Sequence, residues 1–377
     1  MLDVVIIGAG PYGISVAAHA AAYGLSYKLM GYPMDFWKNQ MPQNMFIRTP
    51  HDLVSFSDPK RKWTIHQYAK ETNTKLESPL PRTVFVQYAF WFAEKTGVEF
   101  TPELVDEVSL DGGYYSIVTE SGLQLEARNI VIATGIKEFQ YMPSVFRGLP
   151  RSLVSHTLGY TSFETFQGKD VIVVGSGQSA WEAAALLYEA KANTQLIYRR
   201  STPVYGGNRT QEVILRGIGN VFYKLPRFLK RKLWQIAAET VPIARFLRPY
   251  VEGKVPQIGN TQVEHIKNMD EKVQLSLSNG LTIIADHVIV ASGFRINIDK
   301  LSFLNHDLKA TIMREEGHTE FPKLNKHFES SVKGLYFAGP LSSHSQGPTF
   351  RFILGLEKAS NTIVSSIKCQ GRGHVHA

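Results

Sequence analysis

The sequence predicts an α/β protein of two nested three-layer domains carrying a helical basic insertion. Three observations predict it. A short apolar strand runs into a G-x-G-x-x-G turn at the start of the chain. The same device returns at residue 175. Each half then closes on a strand ending in a small-residue turn, NIVIATG at 129–135 and HVIVASG at 287–293. Repetition of a whole unit carries more weight than any single motif. The implied domains are Rossmann-like: 1–154 with 294–377 forms one, and 155–293 forms the other, with the insertion at about 202–257.

The first unit spans Leu2 to Met30. Val4-Val5-Ile6-Ile7 reads as a buried strand. Gly8-Ala9-Gly10-Pro11-Tyr12-Gly13 follows, then an alanine-rich helix over Ile14–Tyr23, a stop at Gly24 and a strand over Ser26–Met30. This is a dinucleotide fingerprint in its required context. Gly8 permits the tight turn, Gly10 lets backbone approach a pyrophosphate, and Gly13 lets helix and strand pack closely. The helix N-terminus then offers free N–H groups to the phosphates, and Pro11 and Tyr12 of the turn are candidate cofactor contacts beside the glycines. The second strand ends Leu29-Met30-Gly31-Tyr32, without the acid that usually binds ribose.

Residues 36–63 read as a long functional loop that includes Met45 and Arg48. Thr83–Thr96 reads as a helix whose aromatic residues pack into the core. Three short strands follow over 104–127, then Asn129–Gly135 with Thr134 and Gly135 at its tip. In the second unit, Asp170–Val174 precedes Gly175-Ser176-Gly177-Gln178-Ser179-Ala180, with alanine in the third fingerprint place. A helix over Ser179–Lys191 and a strand over Thr194–Tyr198 follow. A hairpin over 273–284 leads into the strand that ends at Ser292 and Gly293. The chain then returns to the first domain with GLYFAG, ending at Gly339, and a helix over about Thr349–Ile367. Gly347-Pro348-Thr349 forms the entry to that helix, since proline suits its first position.

The second nucleotide strand ends at Arg199-Arg200-Ser201, where an NAD enzyme carries an acid. An arginine there suits a 2′-phosphate and predicts NADPH. The stretch over 223–248 carries seven arginines and lysines from Lys224 to Arg248 among Leu, Trp and Phe. Its preferred reading is a solvated lid over the cleft, and contact with a membrane surface is the alternative.

The totals fit this reading. The chain has 377 residues, 44% hydrophobic and 20% charged, a composition able to bury a large core. Its net charge of +8 favours a phosphate-rich cofactor, since no nucleic-acid motif is present. One cysteine, Cys369, excludes a disulfide framework and a redox cysteine pair. No metal-ligand spacing occurs among the histidines. With no signal-peptide pattern and no bilayer-length apolar run, the expected location is the cytoplasm.

Taken together, the chain resembles the two-dinucleotide-binding-domain flavoproteins, and more narrowly the flavin-containing and N-hydroxylating monooxygenases. The resemblance covers nearly the whole chain. It assigns FAD to the first fingerprint and NADPH to the second. Arg48-Thr49-Pro50-His51-Asp52 through Asp58 resembles the loop beside the flavin, with Arg48 where that family keeps an asparagine. Ser155-His156-Thr157 and Tyr160 resemble the lead into the second fingerprint. The signature F-x-G-x-x-x-H starts at Phe146 and Gly148, but seven residues instead of three precede His156. The resemblance implies hydride transfer from NADPH to FAD and oxygen insertion from O2 into a small-molecule nitrogen, sulfur or ketone. Arg48 and His344 are the catalytic candidates. A reductase without oxygen insertion and a nucleotide-binding redox sensor are the other two readings.

Overall fold

The computed structural model describes residues 1–239 and 242–372. Residues 240–241 of the predicted insertion and 373–377 of the predicted first domain lie outside the described residues.

Two five-stranded parallel sheets organise the chain. In the first, the order is Leu335–Phe337, Ile130–Ile132, Val4–Ile7, Tyr27–Met30, Phe100–Thr101. In the second it is Val154–His156, His287–Val290, Asp170–Val174, Asn193–Ile197, Gln257–Ile258. In each, the strand before a fingerprint lies at the centre and is flanked by the small-residue-turn strand. All these pairings are parallel, so both faces need covering. That explains the unbroken Val and Ile runs: Val4, Val5, Ile6, Val171 and Val173 are all fully buried. The helix Pro11–Ala22 covers one face of the first sheet with Arg82–Thr96 and Leu356–Arg372. Phe85, Tyr88 and Phe92 from the aromatic helix are buried there, while Phe90 stays exposed.

Each half also carries a three-stranded antiparallel sheet, Val105–Asp111 to Ala127 in the first and Val263–Met269 to Ala285 in the second. The second was expected as a hairpin. Its extra strand, Val263–Met269, has no buried residue, so no apolar alternation marks it in the sequence.

The C-terminal helix begins later than expected. Pro348–Arg351 and Ile353–Gly355 form separate 3₁₀ turns, and the α-helix starts at Leu356. Phe352 between them is extended, with φ −124° and ψ 169°, which no continuous helix tolerates. Of two helices in the insertion, Arg209–Val221 lies against this interrupted segment, and Arg227–Glu239 packs its Trp234 on Phe321 and His344. Asn208 and Gln211 close a capping box that starts the first of them.

Candidate functional site: two cavities that share one wall

At the first fingerprint, Gly8 has φ +113°, and a Cβ there would lie 2.4 Å from the Ala133 carbonyl oxygen. A Cβ on Gly13 would lie 1.8 Å from the Gly8 carbonyl oxygen, so helix and strand touch through backbone. Gly10 is different: a Cβ there would meet nothing within 4 Å. The space over Gly10 belongs to a cavity of about 400 Å³ lined by Gly8, Gly10, Pro11, Tyr12, Thr134 and Gly135 among others. No side chain caps the helix that begins there. The Thr134 hydroxyl is buried in that wall with no hydrogen-bond partner. A sealed polar atom beside an uncapped helix end is the donor set a phosphate-bearing nucleotide satisfies.

The second cavity, about 660 Å³, repeats the plan with Gly175, Gly177, Gln178, Ser179, Ser292 and Gly293. Gly177 also faces open space, and the helix Gln178–Glu189 is likewise uncapped. Gln178 lines the cavity, but its amide is spent on structure: Oε1 accepts from the Ala244 N–H and Nε2 donates to Glu182. Ser292 donates to the Tyr141 carbonyl, unlike Thr134. Arg199 and Arg200 stand in the wall after the strand Asn193–Ile197, joined by Arg295 and Arg351. This wall has four arginines and no carboxylate. His156 fixes the Gly293 turn. Its Nδ1 accepts from the Leu158 N–H, so Nε2 carries the proton and donates to the Gly293 carbonyl at 3.2 Å. Burial holds this imidazole down at about 4, so it stays neutral.

The two cavities share four residues, Ile136, Pro340, Arg351 and Phe352. Through this shared wall the two cavities border one another. Tyr12 builds it from below: its hydroxyl lies 2.7 Å from the Phe352 carbonyl and 3.2 Å from that of Phe350. The insertion builds it from above. Thr349 Oγ1 donates to the Leu215 carbonyl at 2.6 Å, and Gly219 lies so close that a Cβ there would sit 2.7 Å from Thr349 Oγ1.

Several expected site residues lie elsewhere. Gly13 packs helix against strand and lines neither of these two cavities. Gly339 gives way to Pro340 in the walls, and a Cβ on it would meet the Tyr12 ring at 3.5 Å. Gly347, Pro348 and Thr349 are covered by the insertion, because the turn at Gly347 faces Phe222 and Thr349 faces Leu215. Met45 lines neither cavity; its carbonyl accepts from the Arg82 N–H. His344 also lines neither. It packs in an aromatic cluster with Trp234, His318 and Phe321, 3.6 Å from a Glu315 carboxylate oxygen. Arg48 is turned away behind Phe352, 4.8 Å from its ring centroid, and pairs with the buried Glu212 at 3.2 Å. Burial draws the Arg48 guanidinium down and pushes the Glu212 carboxyl up, each partly offset by the other.

Sequence reasoning missed Arg351. Nothing local marks it, because its place is set by Tyr12, far away in the chain.

A family model described as pyridine nucleotide-disulphide oxidoreductase matches residues 5–214, more than half of the chain, and the chain belongs to that family. It is 26% identical to an indole-3-pyruvate monooxygenase, YUCCA1, of Oryza sativa subsp. japonica, over 98% of this chain and 92% of that one. It is 24% identical to a ferredoxin–NADP reductase of Lactococcus lactis, over 91% of this chain and 87% of that one. Its fold matches that of an ornithine N-hydroxylase from Kutzneria sp. 744, solved with FADred, NADP+ and L-orn. That match has a TM-score of 0.80 at 17% identity, covering 98% of this chain and all of the other. Among the described residues no helix is long and apolar enough to cross a membrane.

Proposed function

We propose that the protein is an FAD- and NADPH-dependent monooxygenase acting on a small organic substrate. The single observation that carries the reading is the shared wall of Ile136, Pro340, Arg351 and Phe352 between two glycine-cradled cavities. It lets the reactive ring of one cofactor meet that of the other. When bound, NADPH supplies a hydride and FAD relays the electrons to O2. The chain's own residues hold and shield. The amides after Gly10 and the Thr134 hydroxyl take the first nucleotide, and those after Gly177 take the second. Arg199 and Arg200 read the 2′-phosphate. Ile136, Pro340 and Phe352 keep water from the meeting point. The similarity to an indole-3-pyruvate monooxygenase over nearly the full chain supports oxygen insertion.

The ferredoxin–NADP reductase relative keeps an electron-transfer reading in play. A dithiol relay inside the chain is impossible, because Cys369 is its one cysteine. The test is isotopic. FAD-loaded protein is given NADPH, labelled O2 and, in turn, indole-3-pyruvate, a thioether and a primary amine. Label in an organic product, with oxygen uptake matched to NADPH oxidation, is expected. NADPH oxidation that delivers electrons only to an added ferredoxin or dye, with no labelled product, rejects the monooxygenase.

A further inference from the structure

The charge at the shared wall is unbalanced. Of its four residues only Arg351 is charged, and among the described residues its guanidinium has no hydrogen bond and no ion pair. The charged group acting on it is Arg48, a second cation whose own partner is Glu212. Burial and that neighbour both draw the Arg351 guanidinium below the usual arginine value. A half-buried cation without a counter-charge is costly, and a bound anion relieves the cost. Its position is nonetheless fixed. Tyr12 holds the carbonyls on either side of it, and Thr349, two residues before it, is tied to the insertion.

The nucleotide phosphates are already provided for. Each fingerprint has its own uncapped helix end, and the second cavity has Arg199 and Arg200 besides. An anion at the shared wall is therefore a further ligand group. The planar fork of a guanidinium matches a carboxylate bidentately. Around it, Ile136, Pro340 and Phe352 offer apolar surface for the rest of such a molecule.

From this we propose that the shared wall is an organic-acid site: Arg351 binds the carboxylate of an apolar or aromatic acid whose body lies on Ile136, Pro340 and Phe352. Arg48 is a positioning residue there. Clamped by Glu212 and stacked on Phe352, it holds that ring in place. This deepens the monooxygenase reading and rests on it for the meeting of two cofactors.

The test is a titration of FAD-loaded protein with indole-3-acetate, phenylacetate and benzoate, each against its amide. Binding is read by the flavin spectrum and, independently of flavin, by calorimetry. At least one acid should bind about tenfold or more tightly than its amide, as a charge-assisted pair predicts. Arg351→Gln should remove that preference, and Arg351→Lys should keep part of it. Equal binding of acids and amides, no binding of any acid, or a preference that survives in Arg351→Gln each overturns the proposal. A slower reduction of flavin by NADPH in Arg351→Gln, with the acid preference intact, would assign the arginine to the flavin and overturns it too. Protein that cannot take up FAD would reject the two-cofactor reading instead, and calorimetry would still score the acid site.

Discussion

In the first half of the molecule the third fingerprint position must be glycine, since a Cβ on Gly13 would press on the Gly8 carbonyl at 1.8 Å. In the second half the same position is Ala180, fully buried and accommodated. The clefts differ in charge as well. The first is lined by four acids, Asp35, Glu103, Glu120 and Glu138, against Lys137 and the shared Arg351; the second by four arginines, Arg351 among them, and no acid. One plan has thus been built to two tolerances and two fields. Where helix meets strand through bare backbone, the cradle is rigid and sequence-intolerant. Where a methyl group spaces them, the cleft beside them is lined by arginines.

The largest expected effect breaks the packing half of that comparison. Gly13→Ala should cost about 3 kcal/mol or more, since backbone on both sides must move to admit the methyl group. Ala180→Gly should cost about 1 kcal/mol, the ordinary penalty for a helical glycine. Urea denaturation of both variants measures the two costs. Equal losses would show that the first helix can shift as readily as the second.

A smaller effect sharpens the electrostatic half. Replacing Arg199 and Arg200 with Ala should lower the preference for NADPH over NADH by about tenfold to a hundredfold, in line with about 1.5–3 kcal/mol for a charged hydrogen bond. First-cleft FAD content gives the internal control. A drop in NADH affinity as large as that in NADPH affinity would mean the pair does not read the 2′-phosphate.

What the sequence revealed follows the same division. Both fingerprints, the Thr134-Gly135 and Ser292-Gly293 turns and the central strands are local demands of the backbone. Gly135 at φ +72° and Gly293 at φ +75° must be flexible wherever the rest of the chain goes. The shared wall is not local. Arg351 is placed by Tyr12, and Arg48 pairs with Glu212 on an insertion helix, so neither position is legible from proximity along the chain. The entry at Gly347–Thr349 failed for the same reason. Proline suits a helix start, but Thr349 bonds to Leu215 and Phe352 is extended, so only a 3₁₀ turn forms there. His344 gave no signal of its cluster, whose other members come from the insertion and from the strand His318–Pro322.

The smallest expected effect concerns the seam between the halves, where the second-half helix meets the long loop of the first. Glu182 is buried there, accepting from the Phe46 N–H at 3.4 Å and from Gln178 at 3.1 Å. Burial pushes its carboxyl up to about 7, with those hydrogen bonds opposing. In the unfolded chain the group titrates near its ordinary value of 4.5. The folded state therefore holds the proton more tightly. The stability that protonated Glu182 contributes is complete below about pH 4.5 and drains away as pH rises through about 7. Glu182→Gln imitates the protonated form without titrating. Relative to the parent, the variant should gain about 1–3 kcal/mol between pH 5 and pH 8 in urea denaturation. A difference between parent and variant that stays flat over this range would mean that Glu182 is ionised in the fold throughout, and that water reaches the seam.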